Sequence, residues 1–332
     1  MMCSHSETAP SVVASLSDPG LIREQNQDSV LVHPLDSALL LAVCDGMGGG
    51  EGGEVASQLA VTSLLHGLDS MEVPDSLEGL GRALNGAILG AHEVVQSMAR
   101  GRRLRGAGTT ATVALVRGNW LVLGQVGDSR AYLLRGGQLG RLTRDQSLAQ
   151  QLMEQGVLQP SELATFEHSN VILQAVGTGS PPVVDLTWAE LRREDVLLLC
   201  SDGLWGEVTD EEIGRILREH DEPEAACEAL VEAAKGAGGS DNISCVVARL
   251  RGHLPAMDPE ERVPGYRKLM FQDPAPPVLA EGASGAPYRE DLARLAREEP
   301  VELPMRRAPW WWAPLALAAL ALAAGAGLLG WR

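Results

Sequence analysis

The chain has 332 residues, 45% of them apolar, enough for a sizeable core in one large domain or two small ones. Its formal net charge of −17 argues against nucleic acid as a partner, because phosphate backbones require clustered Lys and Arg. The acidity is uneven: residues 1–250 hold 17 Lys and Arg against 34 Asp and Glu, whereas 251–308 hold 9 against 10. An acidic surface accounts for this, and so would bound divalent cations. Five cysteines, an odd number without zinc-like spacing, fit a reduced cytoplasmic setting. The first thirty residues lack a basic stretch followed by an apolar one, so no signal peptide is expected.

In chain order, apolar runs predict buried strands at 39–44, 111–117, 120–126, 131–135, 171–176, 196–200 and 243–249. Gly118-Asn119 between the second and third runs is a two-residue hairpin signal. Helical spacing covers 54–68, 76–98 and 209–235, the last opening on Thr209 as a cap with Asp210, Glu211 and Glu212 in its first turn. Strands come in consecutive blocks rather than alternating with helices, which favours an α+β layered domain. From 251 to 308 apolar periodicity fades and nine of the 19 prolines occur, as in a linker, with one short helix expected around 289–297. Residues 313–331 then run uncharged after Trp310-Trp311-Trp312, with Arg306 and Arg307 before them. A helix of that length spans the ~30 Å hydrocarbon core of a bilayer, and a tryptophan cluster suits its interface. An Ala-rich core helix is the alternative; the stretch reads better as a transmembrane anchor.

Acids stand where apolar runs end. The run 39–44 is followed by Asp45-Gly46, the run from 196 by Asp202-Gly203, and 120–126 by Gly127-Asp128; Asp241-Asn242 directly precedes 243–249. Any single Asp-Gly is usually a turn. Several at core-strand ends need another reason, because buried carboxylates are costly and repel one another unless a cation lies between them. An all-oxygen set without His or Cys points to Mg²⁺ or Mn²⁺ rather than Zn²⁺.

The ordered motifs make the pattern specific. They are Ser17-Asp18-Pro19-Gly20-Leu21-Ile22-Arg23 through Asn26-Gln27-Asp28, Asp45-Gly46-Met47-Gly48-Gly49, Gly108-Thr109-Thr110, Gly127-Asp128-Ser129-Arg130, Leu142-Thr143-Arg144-Asp145, Gln174-Ala175-Val176-Gly177, Ser201-Asp202-Gly203 and Ser240-Asp241-Asn242. Over about residues 11–250 the sequence resembles the PPM family of metal-dependent Ser/Thr protein phosphatases (type 2C), in its bacterial form. The resemblance implies an αββα four-layer sandwich of two antiparallel sheets flanked by helices. It implies two Mn²⁺ or Mg²⁺ ions, with Asp45 bridging them, the Gly46 carbonyl and water-linked Asp28 beside the first, and Asp202 and Asp241 at the second. Asp128 would hold a labile third ion, Arg23 would clamp the substrate phosphate, and Asn242 would orient Asp241. The segment between Asp145 and Val171 would be a mobile flap. The implied reaction is attack of a metal-activated water on phosphoserine or phosphothreonine, so neither Ser129 nor Ser201 is expected as a nucleophile.

Two departures stand out. The family usually has Glu where Gln27 stands and often His where Gln146 stands; Gln27 removes a negative charge and predicts weaker metal binding, whereas nothing catalytic is inferred from Gln146. Asp18 reads equally as a ligand or a turn acid, and His33, His66 and His92 as surface or core residues. The expected organisation is a flexible 1–10, a phosphatase domain over 11–250, a Pro-rich linker over 251–308 and a transmembrane helix over 309–331. The expected partners are phosphoproteins, a eukaryotic-like Ser/Thr kinase and the bacterial inner membrane, with a monomeric catalytic domain facing the cytoplasm. The alternatives are a non-catalytic phosphoprotein-binding scaffold of the same fold and a phosphatase of an anti-sigma-type regulator.

Overall fold

The apolar runs become the central strands of two antiparallel sheets. The computed structural model describes residues 11–271, apart from 103, 105, 160, 161, 163–165, 167 and 169. The strands are β1 (Ser11–Asp18), β2 (Asp28–Pro34), β3 (Leu39–Met47), β4 (Gly108–Thr109), β5 (Ala111–Arg117), β6 (Trp120–Val126), β7 (Arg130–Arg135), β8 (Gln138–Arg141), β9 (Asp185–Glu190), β10 (Val196–Cys200) and β11 (Ile243–Leu250). The helices are α1 (Gly52–Asp69), α2 (Leu77–Gly101), α3 (Leu148–Glu154), α4 (Asp202–Trp205), α5 (Asp210–Glu219) and α6 (Pro223–Ala237).

One sheet has the order β1-β11-β10-β7-β8 and the other β2-β3-β5-β6-β9, with the short β4 pairing β3 at its far end. Three apolar clusters make four layers of them. Leu41, Val43, Leu123, Leu133, Leu199 and Val246 fill the space between the sheets. Leu40, Ala42 and Cys44, the alternate residues of β3, face α1 and α2. Leu198, Cys200 and Val247 pack against α5 and α6. Strands buried on both faces must be apolar at nearly every position, which is why β3, β5, β10 and β11 are near-continuous runs. The αββα expectation holds.

Local chemistry sets the boundaries. Ser76 caps α2, its hydroxyl accepting from the Gly79 N–H at 3.1 Å. Thr209 caps α5 in the same way, but the stretch 209–235 is two helices, not one, since Pro223 cannot continue α5 and instead starts α6. Gly118, at φ +57°, takes the first position of the β5–β6 hairpin turn, which registers Arg117 opposite Trp120. The run 171–176 is not a strand. It makes only isolated bridges, Ile172 to Ser147 and Val176 to Thr109, while Val171 and Leu173 remain exposed.

The segment expected to be linker from Arg251 stays on the domain as far as Phe271. Trp188 N–H donates to the Arg267 carbonyl at 3.1 Å and Leu269 N–H to the Leu186 carbonyl at 2.8 Å. The Leu269 side chain is buried beside Gly81 of α2, where a Cβ would lie 2.4 Å from Leu269 Cδ2. Burying one leucine contributes about 1.5–3 kcal/mol, so this strap belongs to the folded unit. Cys44, Cys200, Cys227 and Cys245 are buried free thiols. Among the described residues no helix is long and apolar enough to cross a membrane. The expected flexible residues 1–10, the helix around 289–297 and the candidate anchor at 309–331 all lie outside the described residues.

Candidate metal centre and substrate cleft

The strand ends converge on a cleft of about 700 Å³ lined by Arg23, Gln27, Asp45, Gly46, Asp128, Asp202 and Asp241, with Asn170 and Ile172 on the flap side. Antiparallel register sets the first pair of acids, Asp28 of β2 standing opposite Asp45 of β3. Asp202 and Asp241 arrive from the facing sheet, just past β10 and just before β11, and Asp128 from the turn between β6 and β7. Five of the expected acids are therefore brought together.

The electrostatics are those of an unneutralised cluster. Asp28 and Asp128 are buried at 8% and 3% exposure, and Asp45 and Asp202 are partly so. Burial pushes Asp28 up to about 7, with the charges of Asp202 and Asp241 adding to it and hydrogen bonds from Ser244 and Ser201 opposing. Burial also raises Asp45 well above the carboxylate range, reinforced by Asp28, Asp202 and Asp128. Asp128 is raised by burial and then by Asp202 and Asp145. Asp202 is raised by burial and by the charge of Asp241. Two buried oxygens, Asp28 Oδ1 and Asp202 Oδ1, have no hydrogen-bond partner. Unpaired buried carboxylate oxygens cost free energy that a cation recovers.

That donor set fits divalent metal. No three carboxylate, thiol or imidazole groups among the described residues are gathered tightly enough to ligate one ion by themselves. Ions here would complete their shells from main-chain carbonyls and water, as hard cations with six or more oxygen ligands commonly do. Gly46 lets the main chain pack tightly here: a Cβ there would lie 2.2 Å from the Gly53 carbonyl oxygen and 2.4 Å from that of Gln27.

Arg23 stands at the rim, its side chain 56% exposed, with Nη2 2.9 Å from Asp241 Oδ2. Asn242 holds this rim in place rather than acting mainly on Asp241. Its amide donates to the carbonyls of Pro19 at 3.0 Å and Gln25 at 2.9 Å, and its Oδ1 accepts from Gln27 N–H at 2.8 Å. Only its main-chain N–H reaches Asp241, at 2.9 Å. Asp18 resolves to a turn acid, accepting from Gly20 N–H at 2.8 Å and facing Lys235 at 3.3 Å. His92 is a core residue whose Nδ1 accepts from Gly177 N–H at 3.0 Å, and burial lowers its pKa.

Sequence reasoning missed three supports. Thr110 receives the Asp45 N–H at 2.9 Å and Thr109 donates to the Asp45 carbonyl at 2.8 Å, fixing the main chain of that acid. Gln146 accepts from Gly127 N–H at 3.0 Å and donates to the Val183 carbonyl at 3.0 Å, tying the Asp128 turn to the flap. Gln27 donates to the Gly50 carbonyl at 2.7 Å, so its departure from the family pattern has a local use: an amide can make this bond and a carboxylate cannot. Thr109 and Thr110 lay in a quoted motif, but no sequence signal marked either glutamine as a tether.

A carboxylate-rich cleft at the ends of two facing antiparallel sheets, with an arginine on its lip, defines a metal-dependent phosphoester-hydrolase type of site. Comparison with known proteins narrows the class. Residues 23–229 match the model of the family described as protein phosphatase 2C, and the chain belongs to that family. It is 42% identical over 238 residues to the serine/threonine protein phosphatase PstP of Mycobacterium tuberculosis, a match covering 71% of this chain and 44% of that protein. The chain thus spans under half the length of that relative. A serine/threonine phosphatase of Listeria monocytogenes is 32% identical over 70% of this chain and 92% of its own. The solved catalytic domain of PstP in complex with two manganese ions superposes with a TM-score of 0.62 at 38% identity, covering 73% of this chain and all of that one.

Proposed function

We infer that the protein removes phosphate from phosphoserine and phosphothreonine in proteins, using two divalent ions, Mn²⁺ or Mg²⁺. The observation that carries this is the group of recessed acids, Asp28, Asp45, Asp128 and Asp202, none of which forms an ion pair among the described residues, with Arg23 held on Asp241 at the rim and Arg130 drawing Asp128 down. Asp45, Asp202, Asp241 and the Gly46 carbonyl would hold the two ions, Asp28 would act on the first through water, and Asp128 would hold a looser third. Such ions supply an activated water and neutralise charge on the phosphoryl oxygens.

The chain's own residues do the rest. Arg23 exchanges its contact with Asp241 for two oxygens of the incoming phosphate, a forked interaction that guanidinium makes and ammonium does not. Asn242 keeps the Arg23 loop at a fixed distance from the acids, so binding the phosphate also orients its phosphorus. Thr109 and Thr110 fix the main chain at Asp45, so little reorganisation is needed during reaction. With the acid set complete, the scaffold reading gains no support.

The test is hydrolysis of a phosphothreonine peptide by the full chain, with Mn²⁺ and with chelator, beside Asp45→Asn and Asp202→Asn. Activity that survives chelator, or both substitutions, overturns the reading. We further propose a membrane-anchored enzyme with its catalytic domain in the cytoplasm, acting on the products of eukaryotic-like Ser/Thr kinases. The uncharged stretch 313–331 supports the anchor. Cell fractionation with and without residues 309–332 tests it, and equal solubility of the two forms would refute it.

A further inference from the structure

A second hollow, of about 670 Å³, lies beside the acid cleft, and its residues include Gln96, Arg100, Gly106, Ala107, Thr178 and Gly179. The two share a wall. Gly108 pairs with Met47 and Thr109 with Gly46, while Thr109 also bridges to Val176. A Cβ on Gly48, which lines the cleft, would lie 3.0 Å from Ala107 Cα, which lines the hollow. One strand spacing is about 4.8 Å and an extended peptide advances about 3.3 Å per residue. A peptide with its phosphoresidue in the cleft therefore reaches the hollow with a side chain a few positions away.

The charge of the hollow is opposite to that of the cleft. Among the described residues no acid lines it, whereas Glu24, Asp45, Asp128, Asp202 and Asp241 line the cleft. Arg100 is exposed there and makes no ion pair among the described residues. The rim is built rather than incidental: His92 holds the Gly177 N–H, and Gln96 donates to the Gly179 carbonyl at 2.6 Å. The negative end of α2 is muted here, since Met98 and Ala99 carbonyls accept from Arg102 and Leu104 N–H groups.

We propose that this hollow binds acidic side chains flanking the phosphorylated residue, so that the enzyme prefers phosphoproteins with Asp or Glu a few positions from the site. The proposal rests on the phosphatase reading for its cleft and adds a specificity determinant, Arg100, outside the metal centre. Guanidinium suits carboxylate by geometry as well as charge.

The experiment uses the full chain with Mn²⁺ and phosphothreonine peptides of equal length. One has neutral flanks, one has Glu two to four positions on the N-terminal side, and one has Glu on the C-terminal side. A small aryl phosphate serves as a substrate that cannot reach the hollow. One acidic peptide is expected to show about a fivefold higher kcat/KM than the neutral one at low salt, a size suited to exposed ion pairs. That advantage shrinks in 0.5 M NaCl, where the screening length is about 4 Å, and disappears in Arg100→Glu and Arg100→Gln. Turnover of aryl phosphate and of the neutral peptide stays unchanged in both variants. Equal kcat/KM for all three peptides, or a preference retained in Arg100→Glu, overturns the proposal. Equilibrium binding of the unphosphorylated acidic peptide separates the two readings. Stronger binding to wild type than to Arg100→Glu, with no substrate turned over, keeps the docking site and sinks the phosphatase reading.

Discussion

The two ends of β10 treat buried charge in opposite ways. Before the strand, Asp195 is 1% exposed and held by both arms of Arg135, Nε at 2.9 Å and Nη2 at 2.6 Å. Arg135 also meets Glu261 of the strap at 2.7 Å, and Arg192 joins Glu261 at 2.9 Å. Even so, burial keeps Asp195 above its ordinary carboxylate value, with Arg135 pulling it down. After the strand stands Asp202, which has other acids as neighbours and an oxygen with no partner. One end is a closed ion network built to hold the sheets together. The other is left open for a cation from outside.

Substitutions can break that comparison. The largest effect is expected from Asp45→Asn, with kcat on a phosphothreonine peptide falling about a thousandfold or more. The same change should raise the melting temperature in chelator, because it removes a carboxyl that burial and the neighbouring acids penalise. At the other end, Asp195→Asn should destabilise the protein by about 3 kcal/mol by removing the buried carboxylate that meets two arms of Arg135 and leaving it only Glu261 as a charged partner, and leave the Mn²⁺ dependence of turnover unmoved. Chemical denaturation and metal titration of both variants check this pair, and a loss of chelator-state stability in Asp45→Asn would erase the distinction.

Acidity should sharpen it next. Asp28 has a folded value of about 7 against 3.8 for the free side chain, so between those values the folded metal-free protein holds a proton that the unfolded chain has released. Stability in chelator therefore falls as pH rises through that window, by roughly 5 °C in melting temperature between pH 5 and 7.5. Saturating Mn²⁺ should flatten the slope, and a melting temperature in chelator that does not change with pH would contradict it. The smallest effect is expected from Gln27→Glu. The added charge should lower the Mn²⁺ concentration for half-maximal rate by a few fold, while loss of the bond to Gly50 costs about 1 kcal/mol of stability. An unchanged metal midpoint would mean that Gln27 acts only as a loop tether.

What was legible in the residues follows the same physics. Six strands, β3, β5, β6, β7, β10 and β11, announced themselves because they lie inside the sheets and are apolar at nearly every position. The edges β1, β2, β8 and β9 did not, since an edge strand buries less and keeps polar residues such as Ser15, Ser17, His33 and Gln138. The run 171–176 misled for the converse reason: its apolar residues serve the flap beside the cleft, where Val171 and Leu173 stay exposed. The strand-end acids were visible because Asp is out of place there. Asn242, Gln146 and His92 act through main-chain groups distant in sequence, and no local pattern marks such a partner. The strap to Phe271 escaped because it pairs through one isolated bridge, Thr187 to Lys268, and carries few apolar residues, Leu254 and Leu269 being the two buried in the core.

The pairing of β1 with β11 has a consequence for synthesis. Ser11 lies opposite Leu250, so the first strand waits for the last before its sheet can close. At about 5–20 residues per second on the ribosome, β1 spends roughly 12–50 s without its partner. Asp28 and Asp45 emerge early and Asp241 near the end, so the nascent chain cannot assemble the complete acid ring until almost the whole domain exists. Half-made chains should therefore be poor competitors for manganese, and the acid cluster should become able to take up metal only as the domain becomes able to fold.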